Sequence, residues 1–259
     1  MTALLSLDGR VAVVTGGAGQ VGGEIARGLA GCGAKVAIFD VVEAAEGDGI
    51  SSFVVDVTDR GAIERATAEL SEVPQILVNA AALDSPPDAP AEEVGPFEDY
   101  PSETFDEVMQ VNVKGALFAC QVIGARMAEV GRGSIVNVSS AAIDEPYAGI
   151  GVYAFTKAAV SMLTMTAALE AGEHGIRVNA IAPGATLTPF TTWRLHRPDG
   201  TLDQEAYDAF VEQSKAQSPL GALGEPIDQA LLIHYLVSDA ARFATGNIFR
   251  VNGGQTMAW

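Results

Sequence analysis

Apolar residues fall along this chain in short β-branched bursts, separated by longer stretches in which they recur with helical spacing. The bursts occupy residues 10–15, 35–40, 53–56, 75–79, 134–138, 177–181 and 248–251. They are continuous rather than alternating and rich in Val and Ile, the pattern of strands covered on both faces. Between them, residues 22–33, 59–71, 103–130, 152–173 and 227–238 are long enough for crossover helices. Strand alternating with helix predicts right-handed βαβ units. The expected fold class is α/β: one domain over residues 1–259, with a doubly wound, mainly parallel seven-stranded sheet flanked by helices. Residues 40–56 leave little room for a full helix between the second and third strands. Residues 84–101 are acidic and proline-rich, so they predict an irregular loop that either rims a ligand crevice or is a solvated insertion.

Composition narrows the function classes. The 259 residues hold 15 Lys+Arg against 33 Asp+Glu, a formal net charge of −18. That balance argues against broad contact with phosphate backbones or anionic membranes, so neither nucleic acid nor membrane is an expected partner. No apolar run approaches the roughly 18 residues needed to span a bilayer. The start, Met-Thr-Ala-Leu-Leu-Ser-Leu-Asp-Gly-Arg, lacks the charge and apolar length of a signal peptide, which points to a cytoplasmic location. Two cysteines, Cys32 and Cys120, form no CxxC and read as packing residues. His174, His196 and His234 are too scattered for a metal site, and no GxSxG elbow is present, so neither a metal nor a serine-hydrolase reading is expected.

Candidate chemistry begins at the end of the first burst. Thr15-Gly16-Gly17-Ala18-Gly19-Gln20-Val21-Gly22 stands between a strand and a helix. There, glycines permit a tight turn and close approach of backbone to a pyrophosphate at a helix N-terminus. Asp40 ends the next strand, where a carboxylate bonds an adenosine ribose hydroxyl and repels a 2′-phosphate. Neither Gly17 nor Val41-Val42 supplies a cation to hold such a phosphate. The pattern therefore favours NAD (NADH) over NADP, a strand-ending turn residue being the plainer reading of Asp40.

Farther along, Ser134-Ile135-Val136-Asn137-Val138-Ser139-Ser140 ends a buried strand in two hydroxyls. Tyr153 and Lys157 then share one face of a helical segment. With the glycine turn upstream, this combination closely resembles the short-chain dehydrogenase/reductase family, from about Leu7 to Gly254. The resemblance implies a Rossmann-like fold and a catalytic set of Asn112, Ser140, Tyr153 and Lys157. Tyr153 matches the general acid/base, Lys157 the residue that holds the nicotinamide ribose and lowers the tyrosine pKa, and Ser140 the hydroxyl that bonds the substrate oxygen. Ser139 matches a structural neighbour, and Asn112, within 111–115, supports a proton-relay water. For the cofactor it implies Thr15, Gly16, Gly19, Gln20, Val21 and Gly22 at the phosphates and Asp56 and Val57 at the adenine. Asn79 and Ala80 lie beside the cofactor, and Pro183, Gly184, Thr186 and Thr188 lie at the carboxamide. Two positions depart from the family pattern: Gln20 replaces the middle glycine of TGxxxGxG, and Asn79-Ala80-Ala81-Ala82 replaces NNAG.

Free tyrosine titrates near 10. Acting as a base at neutral pH requires nearby positive charge, which Lys157 and an oxidised nicotinamide would supply. The implied activity is hydride transfer between nicotinamide and a secondary alcohol or ketone, the small-molecule partner. A nucleotide-sugar epimerase or dehydratase and a non-catalytic dinucleotide sensor are the alternatives. The first is disfavoured because the chain lacks an extra C-terminal substrate domain, the second because the catalytic set is intact. Residues 188–221 resemble the family's substrate loop, with Phe190, Trp193, Leu195, Tyr207 and Phe210 as apolar walls. Arg194, His196 and Arg197 there either greet an anionic group or balance Asp199, Asp203 and Glu205 on a solvated face. Relatives imply a homotetramer, with a dimer as the alternative.

Overall fold

The computed structural model describes residues 2–84, 99–145, 149–197 and 199–257. The strands are β1 (Val11–Thr15), β2 (Lys35–Asp40), β3 (Ile50–Val54), β4 (Ile76–Asn79), β5 (Gly133–Val138), β6 (Ile176–Pro183) and β7 (Ile248–Val251), and two of the helices, α1 (Thr2–Leu5) and α7 (Pro189–Thr192), are single turns. They form a single seven-stranded sheet in the order β3-β2-β1-β4-β5-β6-β7, every pairing parallel. Every residue of β1 and β4 is buried, because side chains of alternating direction enter two different cores. Ala12, Val14, Ile76 and Val78 pack on one face with Ile25 and Leu29 of α2 (Gln20–Gly31) and Ile233 and Leu236 of α9 (Pro226–Val237). Val13, Leu77 and Ile135 pack on the other with Ile63 of α3 (Arg60–Glu69), Ile123 and Met127 of α5 (Ala116–Glu129) and Ala168 of α6 (Gly151–Ala171).

Three sequence expectations need correction. The third strand lies at 50–54 rather than 53–56: it is an edge strand, only half-buried, whose register runs from Val36↔Ile50 to Asp40↔Val54. The apolar run Phe53-Val54-Val55 marked its C-terminal end and the turn beyond. The helix expected at 103–130 is divided into α4 (Ser102–Met109), a π-helical turn over Gln110–Gly115, and α5. At that turn Gly115 packs so closely on Val57 that a Cβ would sit 2.6 Å from its Cγ2. Finally, two helical stretches, Ser102–Glu129 and Gly151–His174, with mean hydropathies of 1.2 and 1.3, are long and apolar enough to cross a bilayer by length and composition alone. Alanines and larger apolar residues raise the average, while interspersed Gly, Thr, Ser and charged residues break up any apolar run. Both stretches lie against the sheet, where Val108, Ala119, Ile123, Met127, Val160 and Ala168 are buried. As expected, β2 passes to β3 without a helix.

Candidate active site

Because the sheet is parallel and its strand order reverses between β1 and β4, the loops after the strand C-termini converge on one crevice. They line a cleft of about 1250 Å³. At one end Gly16 follows β1 with φ +70°, and its N–H bonds the Phe39 carbonyl at 2.9 Å. A Cβ on Gly16 would lie 2.6 Å from the Ala81 backbone, one on Gly17 2.6 Å from Ile38, and one on Gly22 against the Gly16 carbonyl oxygen. The loop is therefore a cradle that only glycine fits at those three positions, leading into the N-terminus of α2 at Gly19. Gln20, the departure from the family pattern, is the exposed first residue of α2 and leaves this packing intact.

Asp40 projects from the end of β2 into the same end of the cleft. Its Oδ2 accepts the Ala18 N–H at 2.9 Å and its Oδ1 the Val42 N–H at 3.3 Å. Asp56, Val57 and Thr58 line the adjoining wall, with Asp56 Oδ1 accepting both the N–H and the hydroxyl of Thr58 at 2.8 Å. This end suits the phosphates and adenosine of a dinucleotide: backbone donors at a helix N-terminus, a carboxylate for ribose, and no lysine or arginine among the described side chains lining it.

At the other end, β5 delivers Ser139 and Ser140 side by side with opposite fates. Ser139 is buried, its hydroxyl 2.7 Å from Ser161 Oγ and 3.1 Å from the Lys157 carbonyl. Ser140 opens into the cleft, which Tyr153 also lines, and accepts the Ala142 N–H at 3.2 Å. Helix α6 carries Tyr153 and Lys157 one turn apart. The Lys157 Nζ stands 5.5 Å from the tyrosine ring centroid and donates to the Val138 carbonyl at 2.9 Å. Burial lowers the Lys157 ammonium to about 8. Burial also pushes the Tyr153 hydroxyl above its ordinary value; the nearby Ser140 hydroxyl opposes that shift and the Asp84 charge adds to it. Phe190 closes over Tyr153 with ring centroids 5.8 Å apart.

Most residues singled out from the sequence meet in this cleft: Gly16, Gly19, Gln20, Val21, Gly22, Asp40, Asp56, Val57, Ala80, Ser140, Tyr153, Lys157, Pro183, Gly184, Thr186 and Thr188. Three have side chains behind its wall. Thr15 Oγ1 accepts the Ala80 and Ala81 N–H groups at 3.2 and 3.3 Å. The Asn79 amide donates to Asn137 Oδ1 at 2.8 Å. Asn112, turned inward by the π-helical turn, clamps the Leu83 peptide from both sides and donates to Thr156 Oγ1 at 3.0 Å. Of the basic segment's described side chains, Arg197 pairs with Asp203 at 3.3 Å, and the His196 ring faces the Thr192 and Trp193 carbonyls. The Arg194 side chain and most of the 84–101 loop lie outside the described residues.

The sequence did not single out Asp84, Gln213 or Gln217 as lining residues, because they reach the cleft from segments far apart in the chain. Gln213 and Gln217 sit with Phe210 on one face of α8 (Gln204–Gln217).

A family model described as enoyl-(acyl carrier protein) reductase, one of the short-chain dehydrogenase/reductase models, matches residues 16–256. The chain belongs to the short-chain dehydrogenase/reductase family. Among the relatives of this short-chain dehydrogenase/reductase is a 3-alpha-(or 20-beta)-hydroxysteroid dehydrogenase of Mycobacterium bovis, 33% identical and covering 96% of this chain and 90% of its own. A sorbitol dehydrogenase of Cereibacter sphaeroides is 34% identical over 98% of this chain and 100% of its own. A solved gluconate 5-dehydrogenase from Burkholderia cenocepacia, in complex with NADP and tartrate, superposes with a TM-score of 0.85 at 29% identity, covering 100% of this chain and 99% of that one. The protein is thus an oxidoreductase acting on hydroxyl or keto substrates with a nicotinamide cofactor, for which the glycine cradle and the carboxylate beyond it are a fitting seat.

Proposed function

We propose that this short-chain dehydrogenase/reductase interconverts a secondary alcohol and a ketone using NAD(H), with Tyr153 exchanging the proton at the substrate oxygen. The observation that carries this reading is the meeting of Ser140, Tyr153 and Lys157 on the wall of one cleft, with the buried Lys157 ammonium 5.5 Å from the tyrosine ring centroid. The nicotinamide, when bound, supplies the hydride acceptor or donor. In ketone reduction the Tyr153 hydroxyl, kept protonated by burial, gives its proton to the carbonyl oxygen as negative charge develops there, and Ser140 donates a second hydrogen bond to the same atom. In alcohol oxidation Tyr153 takes that proton back, and the Lys157 charge favours the phenolate it must first form. Asn112 acts through its neighbours, fixing the Leu83 peptide to Thr156 on α6 and so holding the loop after β4 against the helix of the acid/base.

Preference for NAD over NADP rests on Asp40, whose carboxylate is held by two backbone amides where a 2′-phosphate would have to sit. The relatives' names span a steroid, a polyol and a sugar acid, so they agree on the chemistry and differ on the substrate. The reading extends to a cytoplasmic homotetramer. Two separate apolar faces are exposed, Phe155, Met162 and Leu169 on α6 and Leu231, Tyr235 and Phe243 on and after α9, as the two different interfaces of a dimer of dimers need. Both cysteines are free thiols, in keeping with a reducing compartment.

Tyr153→Phe tests the reading. Turnover over a panel of secondary alcohols and ketones should fall by about 10²–10⁴, the usual worth of a general acid/base. NADH affinity, read by fluorescence titration, should stay as in the wild type, and NADH should outperform NADPH in parallel assays. Near-normal turnover in the variant removes Tyr153 from the chemistry.

A further inference from the structure

Residues 250–256 are bonded to three walls of the cleft at once. Arg250 of β7 grips the Asp144 carboxylate through two hydrogen bonds of 2.7 Å, and Thr256 Oγ1 donates to the same group at 3.1 Å. Asp144 lies on the segment that leads from Ser140 to Tyr153. Gly253 and Gly254, at φ +60° and +84°, seat the far end of α8. A Cβ on Gly253 would lie 2.6 Å from Ser218 Oγ and one on Gly254 2.9 Å from Pro219 Cγ, while Ser218 Oγ donates to the Gly253 carbonyl at 3.1 Å.

Between these moorings Gln255 lines the cleft and joins two of its walls with one side chain. Its Oε1 accepts the Ala185 N–H at 2.7 Å, and its Nε2 donates to the Ser214 carbonyl at 3.3 Å. Both partners are backbone groups that regular structure leaves over. The Gly184 N–H still reaches β7, at the Val251 carbonyl, and Ala185 is the next residue. On α8, the Ser218 N–H that would close the last α-helical turn on Ser214 goes to the Lys215 carbonyl instead. One partner only donates and the other only accepts. An amide satisfies both, a carboxylate offers no donor, and an apolar chain offers neither. The Ala185 peptide is also held on its other side, where its carbonyl accepts the Gly224 N–H at 2.9 Å.

Resting on the dehydrogenase reading above, we infer that Gln255 is a positioning residue for the substrate. Its amide holds α8, with Gln213 and Gln217, in register with the 183–188 loop that flanks the nicotinamide, and so sets the distance between substrate wall and cofactor. It acts through those two elements rather than on the reacting atoms. A wall of this kind binds substrate alike before and during hydride transfer, so loosening it raises KM and leaves kcat nearly unchanged.

The test uses the whole chain carrying Gln255→Glu or Gln255→Met. NADH affinity is read by fluorescence titration, kcat and KM on the best substrate of the alcohol and ketone panel at saturating cofactor, and amide hydrogen exchange over residues 204–217. In Gln255→Glu the acceptor for Ala185 stays and the donor to Ser214 is gone. Substrate KM should rise about tenfold, the scale of a hydrogen bond replaced by an unpaired partner, with kcat and NADH affinity each within about threefold. Exchange in α8 should quicken. Gln255→Met, of similar length, removes both bonds, so NADH affinity should drop about tenfold as well. A side chain that merely supported the fold would give no such division between the two variants. An unmoved KM in Gln255→Glu, or an equal loss of NADH affinity in both variants, overturns the inference and leaves the dehydrogenase reading standing. Should Gln255→Met fail to fold, the split between KM and NADH affinity in Gln255→Glu decides alone. A wild type that turns over no alcohol or ketone of the panel overturns both.

Discussion

The two ends of the cleft are built by different means. The nucleotide end is made of backbone: Gly16, Gly17 and Gly22 are positions where a single added carbon meets main chain or Ile38, and the carboxylate of Asp40 is itself held by peptide N–H groups. The substrate end is made of side chains from separated segments: Asp84 after β4, Phe190 and Leu195 after β6, and Gln213 and Gln217 on α8. Atomic tolerance is therefore tight at one end and loose at the other. A shape set by main chain recognises a cofactor common to many enzymes. A shape set by exchangeable side chains lets the same scaffold serve different substrates.

The largest effect outside the chemistry itself is expected at Lys157, the residue that both ends share. Its ammonium is lowered from 10.5 to about 8 by burial, so between those pH values the unfolded chain holds a proton that the folded protein has released. Stability therefore rises with pH across that window, by on the order of 3 kcal/mol if no other group intervenes. Below about 8 both states are protonated and the full cost of burying the charge is felt. Tyr153 works the other way above 10: its raised pKa keeps the folded protein protonated while the unfolded chain ionises, so stability falls there. Urea unfolding of protein without added dinucleotide should show wild type gaining on Lys157→Met from pH 8 to 10. Parallel stability curves for the two would mean that the lysine is not desolvated.

Next in size is Gly22→Ala, a direct attack on the backbone-built end. The new methyl would meet the Gly16 carbonyl oxygen and lie 2.8 Å from the Gly16 carbonyl carbon and 3.0 Å from Gly17 Cα, none of which is the end of a flexible side chain. The loop must shift, at a cost of about 1–3 kcal/mol in stability, and NADH affinity should fall with it. Gln213→Ala at the side-chain-built end should change stability by less than about 0.5 kcal/mol. Comparable losses in the two variants, by calorimetry, would erase the contrast between the ends.

That contrast also explains what could be read from the sequence. The sheet was legible because a strand buried on both faces is written in consecutive Val and Ile, as in β1 and β4. β3 was misplaced because an edge strand, with Ser51 and Ser52 in it, has no such run. The glycine turn, Asp40, and the Ser140, Tyr153 and Lys157 pattern were legible because each motif is local. Asn112 is named from its local motif, but not the π-helical turn that carries it, which ends where Gly115 packs closely on Val57, a contact between distant parts of the chain. Asp84 looked like one more acid in an acidic loop. Only the fold brings it to Trp193 and Tyr153.

The smallest effect is predicted where the sequence departs most visibly from its family, at Gln20. If the cradle is defined by blocked Cβ positions, then Gly16, Gly17 and Gly22 define it, and position 20 is an ordinary first residue of α2 with an exposed side chain. Restoring the family glycine by Gln20→Gly should then cost no more than about 0.5–1 kcal/mol in backbone entropy, and NADH affinity should stay within about twofold, well under the 1.4 kcal/mol of a tenfold change. A tenfold gain in affinity would show instead that the glutamine side chain stands in the path of the phosphates. Shape at this end would then depend on a side chain as well as on the main chain, and the two ends of the cleft would differ in degree rather than in kind.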